Sequence, residues 1–338
     1  MLSNFGKYAR AFEAEAQTYL GTPRARAVAS CDLGLVIALA ALDLPAGGEA
    51  IVPSFTFNST VNAILWNRLT PVFADIDPRR LTLDPDEIGA LRGPRTAVVV
   101  GTHVFGNPCD HEAIRAAAGA LPIVYDAAHA YGSTYRGRAA GTLGDLEVFS
   151  FSGTKLVTSA EGGLVTAARD DLISRLEYLR AYGFQTDYES HVVGINAKIS
   201  ELDAALGVLT LETVERAARR RQEIARRYRQ ALGGVPDLAF QQVDERDRST
   251  FKDFAILCPH GREGLMQRLD AAGIQTKRYF RPAHTMRAYR GHVTRPLPRT
   301  DEVYERVLCL PIFNDLSDAQ VDEVAGHVRA YFRSAPVA

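Results

Sequence analysis

Between residues 51 and 163 the chain alternates short β-branched runs with helical stretches, and that alternation leaves few folds open. Ile51-Val-Pro, Pro71-Val-Phe-Ala-Asp, Thr96-Ala-Val-Val-Val-Gly, Pro122-Ile-Val-Tyr-Asp and Leu146-Glu-Val-Phe-Ser-Phe read as buried strands. Helices are expected between them, around Val61 to Trp66, after Asp84-Pro-Asp-Glu and from Asp110 to Ala120. The second of these opens with an N-cap aspartate, a proline in the first turn and a glutamate at the capping-box position. Repeats of this kind build an α/β domain around a largely parallel sheet, and the carboxyl ends of its strands hold the ligand. Ser54, Asp126 and Ser150 stand at such ends.

An amphipathic helix precedes this region, with Ala9, Phe12, Ala16 and Leu20 at helical spacing and Gly21 as its stop. A second helix runs from Leu33 to Leu42, after Ser30-Cys-Asp. Past Gly163 come a return strand, a helix near Asp170 to Tyr182, a polar loop to Asn196 and one long helix from Ser200 to about Leu232. Gly233-Gly-Val-Pro marks the boundary between a large domain, 1–232, and a small α+β domain, 233–338. The small domain is expected to hold strands near Phe251 to Cys258 and Ile274 to Tyr279, and a last helix near Asp318 to Phe332. A chain of 338 residues is long enough for both.

The formal net charge of −1 carries no electrostatic footprint for nucleic acid. No apolar run reaches membrane-spanning length and the N-terminus lacks a signal-peptide core, so a soluble cytoplasmic protein is expected. Cys31, Cys109, Cys258 and Cys309 lie far apart and read as reduced thiols. His103, Cys109 and His111 fit none of the usual zinc spacings, and no metal is expected.

Chemistry points to Ser150–Gly163, where Lys155 sits among small and hydroxyl residues just after a buried strand. A lysine so placed can bond a carbonyl cofactor, although a lysine taken alone is more often a solvated surface group. Asp126 is either a turn-forming cap or the partner of a pyridine nitrogen. At ~4 Å and an effective dielectric near 20, its carboxylate would contribute about 4 kcal/mol, roughly three pKa units, toward protonating that nitrogen. His129 is either a packing residue or a contact to a planar ligand, and Phe57 either core or a stacking ring. The helix N-terminus at Cys31, Asp32 and Leu33 suits a phosphate, with Ser150 and Ser152 as added donors. Neither Gly-x-Gly-x-x-Gly after a strand nor a Walker-type Gly-Lys-Ser/Thr occurs, which leaves dinucleotide and nucleoside-triphosphate sites unsupported.

Ile51-Val-Pro-Ser-Phe-Thr-Phe-Asn-Ser-Thr, Pro71-Val-Phe-Ala-Asp-Ile-Asp-Pro, Asp126-Ala-Ala-His-Ala, Phe149-Ser-Phe-Ser-Gly-Thr-Lys and Ala160-Glu-Gly-Gly resemble the DegT/StrS family of sugar aminotransferases. The likeness continues through Gly194-Ile-Asn-Ala-Lys-Ile-Ser-Glu to Arg281-Pro-Ala-His and Leu308-Cys-Leu-Pro-Ile-Phe, and so covers nearly the whole chain. It implies the fold-type-I architecture of pyridoxal-phosphate proteins, with a mostly parallel seven-stranded sheet. It also implies that Lys155 bonds the cofactor aldehyde, Asp126 pairs with the pyridinium, and Phe57 and His129 contact the ring. Ser150 would hold the phosphate together with Asn196 of a partner subunit, which makes the protein a homodimer with shared sites. Lys277, Arg278, Tyr279 and His284 are candidate substrate contacts, and Arg281, Arg287 and Arg290 are further candidates for a pyrophosphate.

Three positions depart from the family pattern. Members usually carry a longer arm before the segment matching Asn4-Phe-Gly; the phosphate turn, commonly Gly-Thr, is Cys31-Asp32 here; and the arginine two residues after the interface asparagine is Lys198. The Asp32 carboxylate is expected to turn from the phosphate and cap the helix or meet a cation. The expected activity is transfer of an amino group from glutamate or glutamine to a keto sugar, nucleotide-linked. The alternatives are a cyclitol ketone as acceptor, or a cofactor-holding regulatory protein without turnover. A sugar dehydratase is disfavoured, because such relatives place histidine where Lys155 stands, and a metal hydrolase has no ligand set.

Overall fold

The computed structural model describes residues 4–185 and 188–334. Helix α1 (Lys7–Leu20) buries Ala9, Phe12, Ala16 and Leu20, and Gly21 ends it in the left-handed conformation at φ 69°. Then follow β1 (Ala25–Val28), α2 (Cys31–Ala41), β2 (Glu49–Pro53), α3 (Asn58–Trp66), β3 (Thr70–Ala74), α4 (Pro85–Leu91), β4 (Thr96–Thr102), α5 (His111–Ala118) and β5 (Ile123–Asp126). A short hairpin, β6 (Thr134–Tyr135) and β7 (Arg138–Ala139), precedes β8 (Leu146–Ser150), β9 (Gly163–Ala167) and α6 (Asp170–Leu179).

Seven of these strands form one sheet in the order β1-β9-β8-β5-β4-β2-β3. β9 runs antiparallel to both its neighbours, whereas β3, β2, β4, β5 and β8 pair in parallel. Every residue of β5 and β8 is buried, as expected for strands covered on both faces. The carboxyl ends of the parallel strands share one edge, where Thr102 is in register with Asp126. Ser150 is in register with Gly163, and Gly163 with Val28, whose strand leads into α2. A Cβ on Gly163 would come within 2.9 Å of the Ser30 and Cys31 backbone, so glycine there lets the start of α2 lie against the strand ends.

β1 has no clear sequence signal, being four residues long with Arg26 inside it; Glu177 pairs with that guanidinium at 2.5 Å. At α4, Asp84 caps as expected by accepting from the Asp86 amide (3.0 Å). Glu87 does not close the box: it accepts from the Asp75 amide (3.2 Å) and pairs with Arg299 (2.8 Å).

The single long helix expected from Ser200 to Leu232 is two helices, α7 (Glu201–Leu211) and α8 (Val214–Leu232). Thr213 breaks it, because its amide (3.0 Å) and its hydroxyl (2.8 Å) both bond the Thr210 carbonyl and tighten the last turn. α7 also caps α1 from a distance, since the Glu201 carboxylate accepts from the Tyr8 and Ala9 amides at 3.0 and 3.1 Å. Beyond α8, β10 (Ala239–Phe240), β11 (Phe254–Leu257) and β12 (Val307–Leu310) make an antiparallel sheet. It is flanked by α9 (Arg262–Ala271), α10 (Pro298–Arg306) and α11 (Asp318–Ser334). Tyr228 and Leu232 of α8 join Phe254, Leu308 and Val324 in a core of their own. The strand expected at Ile274 to Tyr279 is only a bridge: Lys277 alone pairs with Cys309, exchanging both hydrogen bonds, so the segment touches the edge of β12 without extending the sheet. No helix among the described residues is long and apolar enough to cross a membrane.

Candidate active site

Asp126 ends β5 with its side chain buried. Its Oδ1 accepts from the Ala128 amide (3.1 Å) and its Oδ2 from the Thr60 hydroxyl (2.6 Å) in the first turn of α3. Thr60 meets the Thr56 hydroxyl at 2.8 Å, and Thr56 meets that of Thr102 at 2.9 Å. Burial raises the pKa of Asp126, an effect that Thr60, Ala128, Lys155 and His103 only partly offset. A buried carboxylate in this state favours a cation beside it.

His129 accepts from the Phe105 amide through Nδ1 (3.2 Å), which assigns the ring proton to Nε2. Its ring stacks on Phe105 and Phe280 at centroid distances of 6.3 and 5.9 Å. Burial, followed by Lys155 and Lys252, pushes its pKa well below the ordinary histidine value and keeps the ring neutral. Phe57 stands at the start of α3, exposed, with its ring 6.4 Å from that of Phe280.

Ser30, rather than Asp32, caps α2, accepting from the Leu33 amide at 3.2 Å. The amides of Cys31 and Asp32 have no acceptor among the described residues, and the helix dipole reinforces them. The Asp32 carboxylate is exposed and makes neither expected contact: it bonds no amide and no cation among the described residues. Leu33 gives its amide to the cap and packs its side chain on the sheet core. Ser150 and Ser152 hold their hydroxyls 3.5 Å apart. Lys155 lies in the turn after β8, where its amide bonds the Ser152 carbonyl (3.0 Å); its Nζ has no hydrogen bond or ion pair among the described residues.

A cavity of about 290 Å³ brings Cys31, Phe57, Asp126, His129, Ser150 and Lys155 together, and Asp32 and Tyr279 line it as well. Other candidates stand apart from it. Asn196 is exposed and accepts from Lys198 Nζ (2.5 Å). Lys277 lines a second cavity, and Arg278 is held by Glu263 (3.2 Å) and Glu305 (3.6 Å). His284 bridges the Ser54 hydroxyl (2.7 Å) and Asp301 (3.1 Å), while Arg281, Arg287 and Arg290 are exposed. Among the described residues no group of three or more His, Cys, Asp or Glu is placed to hold a metal. His103 instead accepts from the Cys109 amide (3.0 Å), and His111 meets the Tyr125 hydroxyl (3.1 Å).

Several cavity residues lack a sequence reading of their own: Thr102, Lys252 and Phe280 line it, as does His103, weighed above only as a metal ligand, and Thr60 stands just behind. Thr60 follows Phe57 by three residues, the spacing that places both on one face of a helical turn. Lys252-Asp253 is a charged pair inside the otherwise apolar Phe251–Leu257 run, which is a signal in itself.

The chain matches the DegT/DnrJ/EryC1/StrS aminotransferase family over residues 1–329. It belongs to that family. This member is 32% identical to the GDP-perosamine synthase of Caulobacter vibrioides over 332 residues, which cover 96% of this chain and 90% of that one. To the spore coat polysaccharide biosynthesis protein SpsC of Bacillus subtilis it is 33% identical, over 98% of this chain and 91% of the other. Among solved structures, DesI in the presence of its TDP-sugar product matches with a TM-score of 0.92 at 37% identity, covering 98% of this chain and 86% of that chain. S. venezuelae DesV matches at 0.94 and 32%, covering 98% and 91%. The α/β architecture and the aminotransferase class expected from the sequence both hold for this family member.

Proposed function

We propose that this protein is a pyridoxal-phosphate-dependent aminotransferase, a cytoplasmic homodimer that moves an amino group from glutamate or glutamine to a keto sugar carried on a nucleoside diphosphate. The observation that carries this reading is one cavity with an unpaired amine, a buried carboxylate and an anion cradle around it. The residues fit the cofactor. Cys31 and Asp32 amides without acceptors, with the Ser150 and Ser152 hydroxyls, suit its phosphate. When bound, pyridoxal phosphate supplies an aldehyde and a ring that takes up electrons once its nitrogen is protonated. Asp126 would keep the proton on that nitrogen, because its oxygens are already held by Thr60 and Ala128 and its burial favours a cation beside it. Lys155 would be the attachment point, and its Nζ, when free, would be the general base and acid that takes the proton from the donor's α-carbon and gives it back to the acceptor's carbon. Neutral His129 would pack on the ring and offer its Nε2–H.

A nucleotide-linked acceptor is supported by the GDP-perosamine synthase and TDP-sugar relatives, whereas nothing comparable supports a cyclitol. A second copy is supported by exposed Phe57 and Asn196 and by an apolar stripe on α7, Leu202, Leu206 and Leu209, exposed by 69, 38 and 65%. Four buried, unpaired cysteines suit a reducing compartment. We place the division between the two domains at residues 232 and 233, where α8 ends. The test is direct: borohydride should fix the cofactor on the Lys155 peptide, and a panel of keto sugar nucleotides should restore the aldehyde form from the amine form. A modified peptide carrying another lysine would refute the site, and a panel with no acceptor would refute the substrate class.

A further inference from the structure

Two cavities meet at Thr154, Lys155 and Lys252. The second, of about 570 Å³, extends from the Gly153–Lys155 turn to the 272–277 and 309–313 segments. Its charged lining is mostly cationic: Lys155, Arg221, Lys252 and Lys277 against Asp253 and Glu323. Arg221 is already committed, bonding Asn314 Oδ1 and the carbonyls of Phe251 and Lys252 at 3.1 to 3.4 Å. Lys252 is different. It is only 6% exposed, and among the described residues its ammonium has one partner, Asp253 Oδ2 at 3.0 Å, which uses one of three donors. Asp253 balances one charge and Asp32, Asp126 and Glu161 line the smaller cavity, yet Lys155 shares both cavities and Lys277 lines the larger one, so the excess of positive charge lies on the larger-cavity side. Burial and then those lysines lower the pKa of Lys252, against the pull of Asp253. An arriving anion would relieve that repulsion and take up the free donors.

We propose that Lys252 binds the α-carboxylate of the amino donor and so sets the donor's amino group against the position of Lys155. This rests on the aminotransferase reading and adds a donor-binding residue to it. An α-amino acid presents its carboxylate two bonds from its nitrogen, so a cation next to the reacting lysine is where that group must be received. The larger cavity beyond, with Lys277 and Gln275 on its wall, has room for the donor's side chain.

The experiment uses the cofactor-loaded protein without sugar and follows the loss of cofactor absorbance as donor is added. Glutamate is compared with its α-amide, isoglutamine, which keeps the amino group and side chain but lacks the α-carboxylate. Wild type should prefer glutamate by about ten- to hundredfold in half-saturation, the range of a charge-assisted hydrogen bond. Lys252→Met should lose that preference while keeping its cofactor spectrum, and Lys252→Arg should regain most of it. A lysine that merely balances Asp253 would weaken both ligands equally, so an undiminished preference in Lys252→Met overturns the proposal. Lys252→Gln carries the same test if the methionine variant does not fold, and wild type without any preference overturns the proposal with no variant. Wild type whose cofactor responds to no amino acid would instead sink the underlying reaction.

Discussion

The strand-end wall of the cavity and the segment from Tyr182 to Lys198 spend their polar groups in opposite ways. At the strand ends, Asp126, Thr60, Thr56 and Thr102 bond one another, and the chain completes its own site. Among the described residues of the second region the backbone closes on itself, Tyr182 bonding Ile195 at 3.1 Å, His191 bonding Gly183 at 3.0 Å and Ala197 bonding Arg180 at 3.0 Å, and side-chain bonds stay local, as from Ser190 to the Tyr182 carbonyl (2.9 Å) and from Lys198 to Asn196 (2.5 Å). Gly183 and Gly194 allow this, because a Cβ on Gly194 would come within 2.1 Å of the Gly183 nitrogen. The side chains of Tyr182, Tyr188, Val193 and Asn196 are left exposed. A fixed backbone that displays exposed aromatic and apolar side chains suits contact with another molecule. On the reading proposed above, the strand ends are a finished half-site and the segment is offered to a neighbouring copy.

The largest effect should come from the finished wall. Lys155→Ala should lower turnover by about 10²–10⁴-fold or more and abolish borohydride fixation; fixation that persists would relocate the attachment point. Asp126→Asn should keep fixation yet lower turnover by about a thousandfold, the equivalent of about 4 kcal/mol in ring protonation. Stability should respond with the opposite sign. Because the folded pKa of Asp126 is raised, its stabilising contribution is present below the unfolded value and lost as pH rises through the folded one. Without cofactor, Asp126→Asn should therefore gain in melting temperature relative to wild type as pH goes from about 4 to about 8. A difference that does not change with pH would remove the buried charge from the account.

Thr60→Val tests whether the hydroxyl chain matters beyond packing. Losing one bond to the carboxylate should cost about tenfold in turnover and shift the absorbance titration of the bound cofactor, which a purely packing role would leave in place. At the phosphate end, Ser150→Ala should weaken cofactor binding by about tenfold, whereas Asp32→Thr should hold or tighten it. Two anions ~5 Å apart repel by about 3 kcal/mol per unit charge pair at an effective dielectric near 20, and the Asp32 carboxylate has no amide to keep it there. A large loss of cofactor on Asp32→Thr would show that the carboxylate belongs to the cradle.

The same contrast explains what the sequence reveals. Asp126, Ser150 and Lys155 follow apolar strands of the largest sheet, so strand periodicity alone brings them to one edge. Thr60 and Lys252 stand at no strand end, so their sequence signals, a three-residue spacing from Phe57 and a charged pair in an apolar run, take on a role only through tertiary contacts. The break at Thr213 depends on one side chain bonding back to Thr210, a choice that helical spacing does not register. Lys277 was expected in a strand, but a strand needs a partner along its length, and β12 meets that segment at one residue. Asn196 has a role only through the family resemblance, because among the described residues its side chain bonds only Lys198.

The claim that one wall comes from each chain is tested most directly by mixing two inactive proteins, Lys155→Ala and Asn196→Ala, under conditions that exchange subunits. A hybrid dimer places both lesions in one site and leaves the other intact, so about a quarter of wild-type activity should return from an equal mixture. Mixtures that stay inactive although subunit exchange is demonstrated would contradict a shared site and return Asn196 to its own chain.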